Sequence, residues 1–484
     1  MRRREFVGGV ALGVCGIPTR ETGRWRDRTT DVLEAQGSFR LAEVGIAELQ
    51  ARLTSGRVTS RQLVQQYTAR IRDLDRRYAL GHVLEVNPDA PRIADDLDRE
   101  RREGRVRGPL HGIPILIKDN IATADRMETT AGSLALLGAR PPRDSFVVRR
   151  LREAGAIILG KTNLSEWANF RSTRSVSGWS ARGGQTRNPY ALDRNPSGSS
   201  SGSAVAAAVS SCAAAVGTET NGSIISPSSV CGVVGVKPTV GLVSRSGIIP
   251  IAHSQDTAGP MTRTVADAAA LLAAMAGADA DDDATAAAPA AAADYSRSLD
   301  PEGLRGARLG VLRPAFAAPK VLELYERALR LLRERGAELV DPVTVSTQGQ
   351  LQGTTQLLLF EFKADIERYL AEWAPGSPVR NLDDLIAFNI REAAREMPYF
   401  GQELFEQAAR VGPLSSPEYT QLRDRLRRLT REEGIDAVMS EHRLDALISP
   451  STGPARPTDL VGGDAGIGGN STLAAVAGYP HITV

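Results

Sequence analysis

The strongest constraint on folding in this chain of 484 residues is a run of small side chains between two Ser/Gly-rich clusters. The first cluster reads NPSGSSSGS (195–203), the run AVAAAVSSCAAAV covers 204–216, and the second cluster reads GTETNGS (217–223). A Ser/Gly stretch alone is typical of a flexible linker. Alanine, however, is the best helix former, and such small side chains allow close packing. We therefore expect one buried helix flanked by two ordered turns.

Short apolar runs and helical patterns alternate along the rest of the chain. IPILI (113–117), AIILG (156–160) and RLGVL (308–312) are typical of strands in a buried sheet. A helical pattern at 146–154 leads into the second of these runs, and another amphipathic pattern covers 321–334. This alternation predicts an α/β fold with a largely parallel or mixed sheet.

Composition and charge exclude several kinds of partner. The formal net charge is only +2, and no dense Lys/Arg cluster interleaved with aromatic residues is present, so we expect no nucleic-acid partner. No run of 18 apolar residues occurs, so we expect no membrane span. The acidic, Ala-rich stretch at 278–294 predicts a solvated low-complexity loop. The oligomeric state is not indicated by any of these patterns.

Cysteine and histidine spacing gives no sign of a metal site or cofactor. No CxxC pair, Cys/His cluster or GxxxxGK[ST] loop is present, and we expect neither a metal nor a cofactor. Each histidine is expected to be structural or on the surface. The cysteines of the chain are Cys15, Cys212 and Cys231, and the histidines are His82, His111, His253, His442 and His481.

The first 25 residues resemble a twin-arginine export signal. Arg3 and Arg4 are followed by Phe6, Val7 and a short Gly-rich apolar run. This pattern predicts export to the periplasm or medium. The alternative is a disordered basic N-terminus on a cytoplasmic protein.

Lys118 stands directly after the apolar run IPILI. Ligands and reactive groups gather at the carboxyl ends of strands in α/β sheets. A lysine buried there loses its proton more easily, and a neutral amine can act as a general base. The alternative is a structural ion pair between Lys118 and Asp119. The two Ser/Gly clusters can in turn present backbone N–H groups to an oxyanion.

The first cluster also matches GxSxG, the nucleophile elbow of α/β-hydrolases. This pattern would make Ser200 the nucleophile, with His442 or His481 as the nominal base. An elbow must follow a buried strand, but the preceding TRNPYALDRNP contains two Asn-Pro turns and no apolar run. The sequence context therefore argues against an elbow.

Lys118, GSSSGS and GTETNGS, in this order, resemble the amidase signature family. HGIPILIKDNI, GKTNLSEWANF, TRNPY, GVVGVKPTVGLVSRSGIIP and DTAGPMTRTVADAA extend the resemblance over roughly residues 40–484. Within the family, SGWSARGGQTRNPY, GTET and LLLFEFKADIERYLA look most like peptide amidases, which remove the amide from the C-terminus of peptides.

The resemblance implies a central mixed, twisted β-sheet covered by helices on both faces. It places the catalytic domain at 38–484, with a substrate-shaping segment at 315–450. It also implies a Ser–Ser–Lys triad without metal or cofactor, in which a bridging hydroxyl both donates and accepts a proton. The implied residues are Ser223 as nucleophile, Ser199 as bridging serine on a cis peptide bond, Lys118 as base, and the backbone N–H groups of Thr220, Asn221, Gly222 and Ser223 as oxyanion hole.

The sequence departs from the family pattern at several positions and at its end. Asn221 stands where Asp or Gly is usual, and the chain stops at AGYPHITV, where family members continue with a strand and a helix. We expect an amide hydrolase that releases ammonia from a carboxamide, most of all from peptide C-terminal amides. The alternatives are a broad aliphatic or aryl amidase, an amidotransferase subunit that feeds ammonia to misacylated tRNA, and a truncated, inactive binding protein.

Overall fold

The computed structural model describes residues 39–289, 294–313, 318–464 and 468–484. The expected export signal at 1–25 lies outside these residues. Within the described part of the chain, no helix combines the length and apolar character that crossing a bilayer requires. The strands are β1 (Val83–Val86), β2 (Pro114–Lys118), β3 (Ile157–Thr162), β4 (Trp179–Ser180), β5 (Gly184–Gln185), β6 (Ala214–Glu219), β7 (Val234–Lys237), β8 (Thr257–Thr262), β9 (Arg308–Leu312), β10 (Glu338–Val343), β11 (Ala446–Ile448) and β12 (His481–Thr483).

A seven-stranded mixed sheet with the order β1-β3-β2-β6-β8-β7-β12 forms the centre of the molecule. Strand β2 pairs in parallel with β3 and β6, and the other neighbours in this sheet pair antiparallel. A smaller parallel sheet has the order β10-β9-β11. The mixed α/β architecture predicted from the sequence is therefore confirmed.

Helices flank the central sheet and form the segment that follows β10. Thr354–Trp373 packs against the helices at Glu403–Arg410 and Pro417–Thr430. The helices are α1 (Ile46–Thr54), α2 (Ser60–Tyr78), α3 (Ala90–Arg102), α4 (Phe146–Glu153), α5 (Ser201–Ala208), α6 (Ile225–Val230), α7 (Val265–Met275), α8 (Pro319–Glu334), α9 (Thr354–Trp373), α10 (Leu382–Arg391), α11 (Ala393–Glu396), α12 (Glu403–Arg410), α13 (Pro417–Thr430), α14 (Asp436–His442) and α15 (Thr472–Ala477).

The apolar runs and helical patterns lie where the sequence predicted them. The runs at 113–117, 156–160 and 308–312 correspond to β2, β3 and β9, and those at 146–154 and 321–334 correspond to α4 and α8. All residues of β2 and β3 are buried, as expected for strands with neighbours on both sides.

The prediction of a single helix in the small-residue run is wrong. Helix α5 ends at Ala208, a turn follows in which Ser210 adopts a left-handed φ of 54°, and the chain continues as β6. A Cβ on Gly217 of β6 would lie 2.5 Å from Met261 Sδ and 2.8 Å from Ser200 Oγ. Pairing with both β2 and β8 thus outweighs the local helix propensity, and the small side chains serve a closely packed strand instead.

Most described residues of the low-complexity stretch at 278–294 are exposed, but two of them are buried. Asp282 and Thr285 are buried, and the Asp282 carboxylate binds the guanidinium and backbone N–H of Arg245. The stretch is therefore attached to the body of the protein at Asp282, through the ion pair with Arg245.

The tight contact of α5 gives a test of the fold. A Cβ on Gly202 would meet backbone atoms of His82 and would lie 2.5 Å from Asn163 O. Backbone cannot give way as a flexible side chain can, so we expect Gly202→Ala to lower the free energy of unfolding by about 3 kcal/mol or more in urea titrations. Gly349→Ala, at a position with open space around it, is the matched control and should change stability by less than about 0.5 kcal/mol. Equal effects of the two substitutions would contradict the packing argument.

Candidate active site

Lys118 and Ser199 meet in the interior of the protein. Lys118 is the last residue of β2, is fully buried, and places its Nζ 2.7 Å from Ser199 Oγ. The same nitrogen donates to Thr218 Oγ1 at 2.9 Å and lies 3.3 Å from the Thr218 carbonyl oxygen. Strand β6 runs beside β2, and this pairing brings Thr218 to the amine.

The surroundings of Lys118 favour its neutral form. Burial lowers the pKa of Lys118 to about 7, and the carboxylates of Asp256 and Glu219 only partly oppose this effect. A large fraction of the amine is therefore unprotonated near neutral pH. An unprotonated amine can accept a proton from the hydroxyl of Ser199.

Asp119 does not pair with Lys118. The alternative of a structural ion pair between the two residues is therefore wrong. The Asp119 carboxylate accepts a hydrogen bond from Thr130 Oγ1 at 2.5 Å and forms an ion pair with Arg182 at 3.2 Å. Arg182 in turn pairs with Glu85. Asp119 thus belongs to a separate buried network, and the contacts of Lys118 are made with hydroxyl and carbonyl oxygens.

The first Ser/Gly cluster forms an ordered turn, which excludes a flexible linker. The Gly198–Ser199 peptide bond is cis. Ser201 Oγ donates to the Ser197 carbonyl at 2.6 Å, and the N–H of Ser200 donates to the carbonyl of Ser223 at 3.1 Å. This last bond joins the first cluster to the second.

Ser200 is placed as a structural serine. Its buried hydroxyl donates to the Thr218 carbonyl at 2.9 Å and accepts the Thr218 N–H at 3.1 Å. No strand precedes the turn within residues 186–200. The nucleophile-elbow geometry is therefore absent from this part of the described chain.

The second Ser/Gly cluster follows β6 and carries Ser223, whose exposed fraction is 8%. Within the described residues, the backbone N–H groups of Asn221, Gly222 and Ser223 donate no hydrogen bond. The Asn221 side chain is engaged elsewhere, accepting from Ser471 Oγ at 2.7 Å and donating to Thr472 Oγ1 at 3.2 Å. The cluster thus offers backbone donors, while the side chain of Asn221 fixes it to α15.

Asp256 anchors the start of this cluster. Its carboxylate accepts a hydrogen bond from Thr220 Oγ1 at 2.5 Å and from the N–H groups of Ile251 and Ala252 at 2.8 and 2.9 Å. Burial raises the pKa of Asp256 to about 6, although these hydrogen bonds oppose the shift. The carboxylate therefore links Thr220, whose backbone N–H is a candidate donor of the oxyanion hole, to the loop before β8.

A cavity of about 630 Å³ opens beside Thr218, Thr220 and Asp256. Ser199 and Ser223 are not among its lining residues, and Asn221 and Gly222 line a separate pocket of about 190 Å³. Asn120 and Thr218 line the larger cavity near Lys118, and the segment predicted to shape the substrate site contributes Asp365, Tyr369 and Trp373 from α9. A cavity of this volume lies in the range of small-molecule sites. The cavity is thus formed jointly by the sheet and by α9.

His253 is a cavity residue that the sequence prediction treated as structural or surface. Its Nδ1 lies 2.9 Å from Asp365 Oδ2 and its Nε2 3.3 Å from Tyr419 Oη, which donates to Glu361 at 2.9 Å. Burial opposes the charge, but the hydrogen bond to Asp365 and the nearby Glu361 carboxylate raise the pKa of His253. Ligand atoms of His253, Glu361 and Asp365 lie within 4.8 Å of one another. Arg368 also pairs with Asp365 at 2.9 Å, so the contacts already present account for the cluster without a cation.

Known amidases are similar to this chain over most of its length. The amidase family model matches residues 62–471. The solved structure of native peptide amidase from Stenotrophomonas maltophilia is 54% identical, with a TM-score of 0.87 over 92% of this chain and 91% of that chain. A probable amidase of Arabidopsis thaliana is 41% identical over 93% of this chain and 85% of its own length. A putative amidase of Schizosaccharomyces pombe is 38% identical over 92% of this chain and 79% of its own length.

The match to the family model covers most of the chain, and the mixed sheet with its flanking helices agrees with the fold of the solved relatives. Those relatives include the peptide amidase bound to the competitive inhibitor chymostatin, at 54% identity and a TM-score of 0.88. This chain belongs to the amidase signature family and is a hydrolase of amide bonds.

Proposed function

We propose that this enzyme releases ammonia from the C-terminal amide of peptides through an acyl-enzyme on Ser223. The observation that carries the proposal is the 2.7 Å contact between the buried amine of Lys118 and Ser199 Oγ beside a cavity large enough for a short peptide. The likeness to peptide amidase over nearly the whole chain supports the choice of substrate.

In the first step, neutral Lys118 accepts the proton of the Ser199 hydroxyl, and Ser199 accepts the proton of Ser223. The Ser223 oxygen attacks the carbonyl carbon of the amide. A serine hydroxyl is a weak nucleophile until a base takes its proton, which is the reason for the relay. The backbone N–H groups of Asn221, Gly222 and Ser223, together with that of Thr220, stabilise the oxyanion that forms.

In the second step, the tetrahedral intermediate collapses and the C–N bond breaks. The proton returns from Lys118 through Ser199 to the leaving nitrogen, which departs as ammonia. Water then attacks the ester on Ser223, and the same relay removes its proton and restores the Ser223 hydroxyl. In both reaction steps, each proton is transferred by side chains of the protein or by water.

Removing the Ser223 hydroxyl tests the nucleophile. We expect Ser223→Ala to lower kcat on a C-terminally amidated dipeptide on the order of 10⁴-fold, because no other group can form the acyl-enzyme. Ammonia release and labelling by a fluorophosphonate measure the loss. Ser229→Ala, in the helix that follows, is the matched control and should keep parental rates. Full activity in Ser223→Ala would overturn the mechanism.

The pH profile tests Lys118 as base. With a pKa of about 7 and the neutral form active, kcat/KM should rise with pH through about 7 and then level off. Asp256 supports the protonated form of Lys118, so Asp256→Asn should move the midpoint to lower pH. A pH-independent kcat/KM between about pH 5 and 9, or an upward shift in Asp256→Asn, would contradict this role.

Substrate length separates a peptide amidase from a broad amidase. The cavity of about 630 Å³ can contact several residues of a peptide, whereas a small amide leaves most of it unused. We expect kcat/KM for an amidated dipeptide to exceed that for propionamide by roughly 100-fold or more. Equal values for the two substrates would favour the broad aliphatic or aryl amidase.

A further inference from the structure

The wall of the cavity beside Lys118 is strongly acidic, although the whole chain carries a formal net charge of +2. Seven carboxylates line it among the described residues, against two guanidinium groups and one imidazole. The carboxylates are Glu219, Asp256, Asp281, Asp282, Asp283, Asp365 and Glu372, and the basic residues are Arg245, Arg368 and His253.

The basic residues of the wall are already paired. Arg245 binds Asp282 through its guanidinium and backbone N–H. Arg368 and His253 both contact the carboxylate of Asp365. The basic groups are therefore committed to protein carboxylates, and the remaining acids keep the cavity negative.

Three of the remaining acids, Asp281, Asp283 and Glu372, are exposed, and we refer to them as the exposed carboxylates. The Arg143 guanidinium lies 3.8 Å from the carboxylate of Asp281. Neither Asp283 nor Glu372 forms an ion pair within the described residues. The negative charge of the exposed carboxylates therefore lies at exposed positions of the cavity wall with little compensation.

Two buried acceptors give an independent sign of a ligand rich in hydrogen-bond donors. Asn120 and Glu219 both line the cavity, are at most 3% exposed, and leave Asn120 Oδ1 and Glu219 Oε1 without a partner in the described chain. The other oxygen of Glu219 accepts the N–H groups of Ile224 and Ile225 at 2.7 and 3.0 Å. A buried acceptor without a donor is costly, and a ligand that brings N–H groups would remove this cost.

We propose that the cavity selects amide substrates that carry a positive charge, an α-ammonium group or a Lys or Arg side chain. This inference rests on the proposed function. A carboxylate-lined cleft with low-dielectric walls concentrates cations. A peptide amide with neutral side chains and a free N-terminus is a net cation, because its C-terminus carries no charge.

The same charge pattern acts on the product. Hydrolysis breaks the C–N bond, releases ammonia and leaves a C-terminal carboxylate on the peptide. This new negative charge forms at Ser223, in the site where the carboxylates of Asp256 and Glu219 act on Lys118, and like charges repel one another. The cavity therefore binds the peptide amide more tightly than the peptide acid that it forms.

Three amidated dipeptides test the proposal: one with a free N-terminus and neutral side chains, its N-acetylated form, and an N-acetylated form with a lysine side chain. We expect kcat/KM to be roughly tenfold higher for the two cationic peptides than for the neutral one at low salt, and the difference to shrink as salt is added. A gain for only one of them identifies which cation the cavity recognises.

A charge-neutralised variant locates the effect. In Asp281→Asn/Asp283→Asn/Glu372→Gln, the ratio of kcat/KM for the cationic peptides to kcat/KM for the neutral peptide should fall at least threefold. The matched control, Asp95→Asn/Asp96→Asn/Glu103→Gln, removes three carboxylates on and after α3, outside the cavity wall, and should keep the parental preference. Equal kcat/KM for all three peptides, or an unchanged preference in the cavity variant, would overturn the proposal.

A binding experiment separates this inference from the proposed function. Calorimetry of the three peptides with Ser223→Ala measures affinity without turnover. Tighter binding of the cationic peptides together with no hydrolysis by the parent chain would refute the amidase mechanism and keep the charge selection. Equal affinities together with normal hydrolysis would refute the charge selection alone.

Discussion

The burial of Lys118 at the end of β2 is the constraint on which the active site depends. An amine in water keeps its proton, whereas this one is surrounded by protein and has a pKa of about 7. Keeping it dry requires a central strand with neighbours on both sides and small residues around its end. The serine turn at 195–203 and strand β6 meet these requirements, and both also supply the oxygens that the amine contacts.

The site combines one part built on the central sheet with another built on segments outside it. The lysine, the serine turn and the backbone donors after β6 all lie on or next to the central sheet. Most of the rest of the cavity wall comes from the loop before β8, from α9 and from the described part of the 278–294 stretch. His253 connects the two parts, because it precedes β8 and binds Asp365 of α9. The two parts meet at Thr218, Glu219 and Thr220, which lie at the end of and just after β6 and line the cavity.

Sequence patterns predicted part of this arrangement and failed at identifiable places. Short apolar runs indicated the strands correctly, since β2 and β3 are buried throughout and β9 is buried at its three central residues, and such positions favour apolar side chains. The alanine run was assigned to one helix, because local propensity contains no information about the two strands that pair with β6. The His253 cluster was missed because its members lie more than 100 positions from His253 along the chain and share no motif with it.

The sequence by itself determined the membership of a family, the alternation of helices and strands, and the candidate chemistry of Lys118, Ser199 and Ser223. The alternation follows from apolar periodicity, a property of neighbouring residues, whereas the candidate roles of Ser199 and Ser223 are those that the resemblance to the family implies. Only the tertiary structure decided that Lys118 contacts Ser199 and not Asp119, that the alanine run splits into a helix and a strand, and that acidic residues from distant segments converge on one cavity. Burial, pairing and electrostatic potential depend on which segments meet, and that is a property of the folded chain alone.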